Sequence, residues 1–315
     1  MTLKIAIQMD PIERVNVDAD TTFDLALEAQ ERGCEISIYQ PQALSMRDGR
    51  VSARTRRATN LRRRQGEHVA LAPEETVDLH RMDVVLIRQD PPFDMAYVTS
   101  AHILERLQPG VLVLNDPRSI RDAPEKLLVS QFPDLTPPTL ITRDRRTIGE
   151  FRAEFSDIIL KPLYGAGGAG VFRVRPEDAN FNALLELLEQ AFSDPIVAQQ
   201  YIPAVSRGDK RIILLDGEAV GAINRVPAAG ETRSNLHVGG RAEPTEMTAR
   251  DQEICDRIGP ELSKRGLVLA GIDVIGDFLT EINVTSPTGV QEIRRFGGPD
   301  VSSLFWDWVE GKVED

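Results

Sequence analysis

The chain has 315 residues, 41% hydrophobic and 27% charged, and a formal net charge of −12. Such a length and apolar share suit a globular enzyme of two or three sub-domains, and the acidic balance argues against a general binder of nucleic acid or anionic membrane. No stretch is apolar enough to span a bilayer, MTLKIAIQMD lacks a signal-peptide core, and Cys34 and Cys255 read as two lone buried thiols in a reducing cytoplasm rather than a disulfide.

In chain order, Lys4–Met9 is a short apolar strand. Asp20–Arg32 mixes Leu25, Leu27 and Ala29 with Asp24, Glu28 and Glu31, and Gly33 follows where a helix would stop. Glu35–Tyr39 is a second strand. Arg54, Arg56, Arg57, Arg62, Arg63 and Arg64 cluster in RTRRATNLRRR without interleaved aromatics, so a solvated surface loop is favoured over a phosphate or nucleic-acid patch. Asp83–Arg88 (DVVLIR) is nearly all apolar, as a buried strand requires. Ala96–Leu107 reads as helix and Val111–Leu114 as a fourth strand. This rhythm predicts an open, mostly parallel sheet, with Asp10 and Arg88-Gln89-Asp90 just beyond strand C-termini, where such folds carry function.

After about residue 120 the pattern becomes α+β with antiparallel pairing. Asp157–Leu163 and Val171–Arg175 are strands around the glycine-rich YGAGGAG, and Asn182–Phe192 is an amphipathic helix. Ile196–Ile202 and Lys210–Leu215 are strands, with a hairpin turn at Asp216–Gly217. Gly271–Ile275 and Phe278–Val284 form a late pair around Gly276–Asp277.

Gly165, Gly167 and Gly170 match G-x-G-x-x-G, but a strand rather than a helix follows, and no Lys-Ser or Lys-Thr completes a Walker loop. A plain flexible hairpin is the bland alternative. A glycine-rich hairpin tip can also lay backbone N–H groups over phosphates. Lys161, in the apolar strand leading into it, favours that second reading.

Asp273, Glu281 and Asn283 are polar residues inside apolar strands. Glu281 and Asn283 are two apart and share a face. Oxygen ligands of this kind suit Mg²⁺, which completes its shell with water and phosphate. A simple two-residue turn would set Asp273 opposite Thr280, on the wrong face. A shared metal site therefore predicts a bulge or odd loop that brings Asp273 opposite Glu281.

With these residues in view, the chain resembles the ATP-grasp superfamily and, within it, the bacterial glutathione synthetases. The similarity runs through MDPI at 9–12, LEAQERG at 27–33, IRQDPPFD at 87–94, NDPRSIRDAPEKL at 115–127, SDIILKPLYGAGG at 156–168, GDKR at 208–211, GETRSNLHVGGR at 230–241 and TEINVTSPT at 280–288. It implies an α/β N-terminal domain over 1–122, on the γ-glutamylcysteine side. An ATP-grasp fold follows, of two α+β sub-domains clasping ATP: a lid at 123–203 and a C-terminal part at 204–315. It implies an ATP-dependent carboxylate-amine ligase that joins γ-glutamylcysteine to glycine through an acyl phosphate, giving glutathione, ADP and phosphate.

The resemblance assigns residues. Lys126 and Lys161 hold ATP phosphates under Gly165, Gly167 and Gly168. Gln199, Gln200, Tyr201 and Ile202 pair with the adenine edge, and Asp209 contacts the ribose. Asp273, Glu281 and Asn283 bind Mg²⁺, with Mn²⁺ as a substitute. Arg211 stabilises charge at the acyl phosphate, with Lys161 as a second catalytic cation. Arg88, Arg225 and Arg233 face substrate, the first two as carboxylate forks, and Ser286 and Thr288 seat the peptide or glycine. The loop 226–240 becomes a lid that keeps water from the acyl phosphate and orders on ligand binding.

The resemblance also implies a cytoplasmic homo-oligomer, a dimer or tetramer, whose partners are small molecules. Gln199–Gln200 lacks the acidic residue of many ATP-grasp hinges, and the chain after Gly289 follows the family only loosely. His237 is a solvated histidine by default. A glutamate-adding or D-alanine-adding ligase would share the lysines and metal ligands but not GETRSNL or IRQDPPFD. A regulatory nucleotide binder without turnover would not need the full set of cations and metal ligands.

Overall fold

The computed structural model describes residues 2–231, 233–235 and 239–314. The first sheet is built from β1 (Lys4–Gln8), β2 (Glu35–Tyr39), β3 (Leu44–Arg47), β4 (Arg50–Thr59), β5 (Ala70–Leu71), β6 (Glu75–Asp78), β7 (Val84–Ile87) and β8 (Leu112–Leu114). Its main order is β3-β4-β2-β1-β7-β8, with β5 and β6 also on β4. The expected parallel core is present, since β1 pairs in parallel with β2 and β7, and β7 with β8. Every residue of β7 is buried, which is why it reads as an unbroken apolar run.

Helix α1 (Thr21–Glu31) is capped by the Asp20 carboxylate, which accepts from the Phe23 N–H. It closes at Gly33, whose φ of +80° suits a residue without Cβ. Helices α2 (Met95–Leu104) and α3 (Pro117–Asp122) follow β7 and β8.

The arginine segment departs from expectation. Arg54, Arg56 and Arg57 stand on β4, not on a loop. Val51, Ala53 and Thr55 face inward at strand spacing, Ala58 follows after a break in the alternation, and the arginines fill most of the outward positions, so the charge run masks a half-buried strand. Arg62, Arg63 and Arg64 do follow the strand in irregular chain. Of the cysteines, Cys255 is buried and Cys34 half-buried, and both are free thiols.

Beyond α4 (Glu125–Leu128), β9 (Thr139–Thr142), β10 (Ile158–Pro162), β11 (Phe172–Val174) and β12 (Ile196–Gln200) form an antiparallel sheet ordered β11-β10-β12-β9. Helices α5 (Arg145–Phe155) and α6 (Phe181–Ala191) cover it, burying Ile148, Leu185 and Leu188 against Ile158, Leu160 and Val174.

The third sheet contains β13 (Asp209–Leu215), β14 (Glu218–Val226), β15 (Arg241–Pro244), β16 (Leu269–Ile275) and β17 (Phe278–Asn283) in the order β15-β14-β13-β16-β17. Helix α7 (Ala249–Lys264) packs on it, and α8 (Val290–Arg295) and α9 (Val301–Glu314) run back to α1. The buried Trp306 donates its indole N–H to the Leu25 carbonyl, tying the last helix to the first.

Candidate active site

The hairpin β16–β17 organises the site. Ile275 pairs with Phe278 across Gly276–Asp277, and Val274 with Leu279, as a two-residue turn requires. The register then shifts, so that Asp273 pairs with Glu281 and Thr280 is the extra residue. The Thr280 hydroxyl donates to the Asp273 carbonyl at 3.1 Å and pins the bulge. Asp273, Glu281 and Asn283 thus share one face, with the Asn283 amide 3.4 Å from Asp273 Oδ2.

Two arginines meet Asp273. Arg211 lies beside it on β13 and grips it with a fork, Nε at 2.6 Å and Nη2 at 3.1 Å, while Nη1 reaches the Thr288 carbonyl at 3.3 Å. Arg225, from β14, bonds Asp209 and stands 2.9 Å from Asp273 Oδ1. Asp273 is 3% exposed. Burial alone would raise its pKa, but Arg211 and Arg225 outweigh burial and hold it at about 2. Burial pushes Asp209 up to about 6 against the pull of Arg225. The Ser234 hydroxyl donates to Asp209 Oδ2 at 2.7 Å.

Two lysines meet Glu281. Lys161, from β10, lies 3.3 Å from its carboxylate and Lys126, from α4, lies 3.5 Å from it. Burial opposes ionisation of Glu281, yet Lys126 and Lys161 hold its pKa below the usual carboxylate range. Lys126 also pairs with Glu125 and donates to the Gly165 carbonyl at 2.6 Å, joining α4 to the glycine hairpin. Four carboxylates (Asp209, Asp273, Glu281, Glu125) therefore face four cations (Arg211, Arg225, Lys126, Lys161) in one buried cluster. Buried charges persist only when paired in this way.

Two clefts open on the cluster. One, of about 670 Å³, is lined by Lys161, Gln199, Gln200, Tyr201, Ile202, Asp209, Arg233, Asp273 and Glu281, with Ile159, Val171 and Ile275 as apolar walls. The other, of about 1110 Å³, is lined by Glu125, Gly167, Arg211, Arg225, Glu281, Asn283, Ser286 and Thr288. Glu281 and Asn235 border both. Among the described residues, two buried polar atoms here have no hydrogen-bond partner, Asp209 Oδ1 and Arg225 Nε. Buried orphans of this kind are expected where a ligand supplies the missing partner.

Most of the residues singled out from the sequence converge on these clefts, but several sit differently from expectation. Gln199 and Gln200 lie inside β12, flanked by β9 and β10, and the Tyr201 N–H donates to the Asp157 carbonyl at 2.9 Å, so the sheet takes up this backbone as far as the Tyr201 amide. The Gln199 amide is engaged by Thr139 at 2.9 Å. Arg88 is buried one layer back. It bonds Thr22 at 3.1 Å and the Pro287 carbonyl at 3.2 Å, which ties it to the Ser286–Thr288 corner. The Ser286 hydroxyl donates to the Gln89 carbonyl at 3.0 Å.

Arg233 borders the smaller cleft and reaches the Gly168 carbonyl at 3.3 Å. A Cβ on Gly168, whose φ is +81°, would stand 2.8 Å from Asn235 Oδ1. The loop that begins after β14 therefore rests on the glycine hairpin at a position only glycine fits. His237 of that loop lies outside the described residues.

Sequence reasoning missed Glu125, Ser234, Asn235 and Gly271. For the first three the signal was their place in NDPRSIRDAPEKL and GETRSNLHVGGR, within two residues of Lys126 or Arg233. Gly271 is a glycine within a strand, itself a sign of close backbone approach. A Cβ there would stand 2.9 Å from Pro287 Cβ and 3.2 Å from Arg211 Cδ. Gly271→Ala is therefore expected to push Arg211 off Asp273 and lower kcat by about tenfold, with ATP affinity little changed. Steady-state kinetics with an ATP titration check this, and an unaltered kcat would show that Arg211 tolerates the displacement.

Comparison with known proteins agrees with this geometry. Residues 3–121 match the N-terminal domain model of prokaryotic glutathione synthetase, and residues 125–298 match its ATP-grasp domain. A glutathione synthetase of Agrobacterium fabrum is 58% identical over 98% of this chain and 96% of its own length. One of Escherichia coli is 42% identical over 99% of each. Among solved structures, a D-cycloserine synthetase overlays with a TM-score of 0.69 at 14% identity, covering 99% of both chains. A macrocyclase bound to its precursor peptide, from Microcystis aeruginosa, overlays at 0.65 and 15%, covering 99% of this chain and 100% of its own. Those two likenesses speak to fold alone. The whole-length matches place the chain in the prokaryotic glutathione synthetase family, ATP-dependent ligases of the ATP-grasp fold.

Proposed function

We propose that the two clefts are the nucleotide and acceptor halves of one ligation site, divided by Glu281. Membership of the family carries glutathione synthesis from ATP, γ-glutamylcysteine and glycine, with dependence on a divalent metal. The observation that supports the placement is the position of Glu281, which borders both clefts and is met by both lysines.

In this reading the smaller cleft takes ATP. The purine lies between Ile159, Val171 and Ile275, against Tyr201–Ile202 and beside Gln199 and Gln200. Asp209 Oδ1, the orphaned acceptor, takes a ribose hydroxyl. Lys126 and Lys161 hold the phosphates, with backbone N–H groups of Gly165, Gly167 and Gly168 above them. Asp273, Glu281 and Asn283 would hold Mg²⁺, or Mn²⁺ in its place. Two carboxylates and an amide fit a hard cation that draws the rest of its shell from phosphate and water. Bound there, the ion supplies charge neutralisation on the phosphoryl group.

The larger cleft takes the acceptors. The cysteinyl carboxylate of γ-glutamylcysteine attacks the γ-phosphorus of ATP and ADP leaves, giving an acyl phosphate. The glycine amine then attacks the acyl carbon, loses a proton and expels phosphate. Arg211 is placed for the anionic oxygens of both steps, because its Thr288 contact turns it toward this cleft. Arg225 offers its orphaned Nε to a substrate oxygen, and Ser286 and Thr288 form the wall that seats the peptide or glycine. Arg233 joins the loop 226–240 to the glycine hairpin as a lid that excludes water.

The boundaries 1–122, 123–203 and 204–315 each contain one sheet and serve as working domain limits. Among the described residues no helix is long and apolar enough to cross a membrane. A cytoplasmic site rests on the free thiols and the use of ATP, and a homo-oligomer, dimer or tetramer, rests on the resemblance alone.

The test is substrate dependence. Phosphate release from ATP is expected to require γ-glutamylcysteine and glycine together. Equal release with unrelated amino acids in their place would refute the acceptor assignment.

A further inference from the structure

One member of the arginine segment reaches back to α1 and α8. The side chain of Arg63 is 32% exposed, against 66% for Arg64 beside it. Its Nη2 pairs with Asp24 on α1, and its Nη1 donates to Gln291 Oε1 at 2.6 Å and to the Val17 carbonyl at 3.2 Å. Gln291, on α8, is buried. Its amide donates in turn to the Asp20 carbonyl at 2.6 Å and the Val17 carbonyl at 3.2 Å.

Gln291 stands three residues after Thr288, just past the bend at Gly289, whose φ is +120°. The intervening chain is gripped at successive points. Gln89 accepts from Ser286, Arg88 donates to Pro287, and Arg211 donates to Thr288. The Arg63–Gln291 contact completes the series at its far end. The Ser286–Thr288 wall is thus held on both sides by the N-terminal domain, on one side by the Arg88–Gln89 segment and on the other by Arg63 with the entry to α1.

We propose that Arg63 is a positioning residue for the acceptor half of the site, acting through Gln291 on the Ser286–Thr288 wall. This rests on the reading that the wall seats an acceptor substrate. Arg63 touches neither cleft, so its effect is transmitted through the chain. Asp24 is not left unpaired without it, because Arg294 donates to Asp24 at 2.8 Å and Ser302 at 2.6 Å. Truncation of Arg63 should therefore spare the fold while loosening Gln291, whose Oε1 loses Arg63 although its amide keeps the Asp20 and Val17 carbonyls. The other arginines of the segment lack this connection. Arg64 pairs with Glu67 at the surface.

The experiment compares Arg63→Ala, Arg63→Lys, Arg64→Ala and Ser286→Ala in steady-state kinetics and thermal melting. Arg63→Ala is expected to raise KM for γ-glutamylcysteine or glycine about tenfold, with KM for ATP within about twofold of wild type. Arg63→Lys restores a cation to Asp24 but cannot also serve Gln291 with a planar fork, so it recovers melting temperature and not KM. Arg64→Ala behaves as wild type. If Arg63→Ala does not fold, Gln291→Leu removes the other side of the contact, together with the Gln291 bonds to Asp20 and Val17, with Asp24 fully paired, and at least the same rise in KM is expected.

Wild-type acceptor KM values in a folded Arg63→Ala, or an equal rise in all three KM values, would overturn the inference. The outcome for Ser286→Ala separates the two levels. Unchanged acceptor KM values there sink the reading of the wall itself. A raised KM with Ser286→Ala beside an unmoved Arg63→Ala sinks the inference alone.

Discussion

Arg211→Ala is expected to lower kcat by roughly 10²–10³-fold while ATP affinity changes by less than about threefold. Arg211 is buried and touches Asp273 and the Thr288 carbonyl, and it borders the acceptor cleft rather than the nucleotide one. Its guanidinium is held before substrate arrives, by a carboxylate fork on one side and the Thr288 carbonyl on the other. A donor fixed in advance costs little reorganisation when charge develops on the acyl phosphate, which is why its loss falls on turnover. Removing it leaves Asp273 with Arg225 and Asn283, so the cluster keeps a cation and the fold survives. Equilibrium ATP binding beside steady-state turnover makes the measurement. A defect confined to ATP affinity would move Arg211 to the nucleotide side.

The legible parts of this protein are those where local pattern and global fold agree. β1 and β7 are apolar runs, β2 alternates apolar and polar residues, and β13 ends in an apolar run before a turn, so all four read directly. The Asp273–Glu281 register was deducible because a shared metal face and a two-residue turn are incompatible without a bulge, and the bulge lies where that conflict put it. The meander from β3 to β6 was not legible. β3, β5 and β6 are short, and the long β4 is polar on one face and carries arginines that look like a loop.

Helix α7 was missed despite Ile254, Ile258 and Leu262 at helical spacing, because Gly259 and Pro260 interrupt it. The glycine has a tertiary cause, since its Cβ would stand 2.3 Å from the carbonyl oxygen of Gly217 in the β13–β14 turn. The site divides in the same way. Glu281 and Asn283 are neighbours on one strand and can be found by spacing. The Arg211–Asp273 fork joins residues 62 apart in sequence, and the layer behind the wall, from Arg88 to Arg63 and Gln291, depends on α8 folding back onto α1. No local pattern carries such contacts.

Asp273 carries the second large effect, and two substitutions separate its roles. Asp273→Ala leaves Arg211 with only the Thr288 carbonyl and Arg225 with Asp209, in a region where Asp273 itself is 3% exposed. Breaking a buried pair in this way costs about 3–5 kcal/mol, on the order of 10 °C in melting temperature for a chain of this size. Asp273→Asn keeps the shape and one acceptor oxygen for the arginine fork, so less stability is lost. Both variants remove the charge that a divalent ion needs. With the carboxylate held ionised at about 2, the native site offers that charge at any physiological pH. Turnover is therefore expected to fall by at least about 10²-fold in both variants, without rescue by excess Mg²⁺ or Mn²⁺, while the melting temperatures differ. The extra thermal stabilisation that metal adds to ATP-bound enzyme is expected to vanish in both. Metal-dependent turnover within about tenfold of wild type in a folded Asp273→Asn would remove Asp273 from the metal site and leave it as the counter-ion of the two arginines.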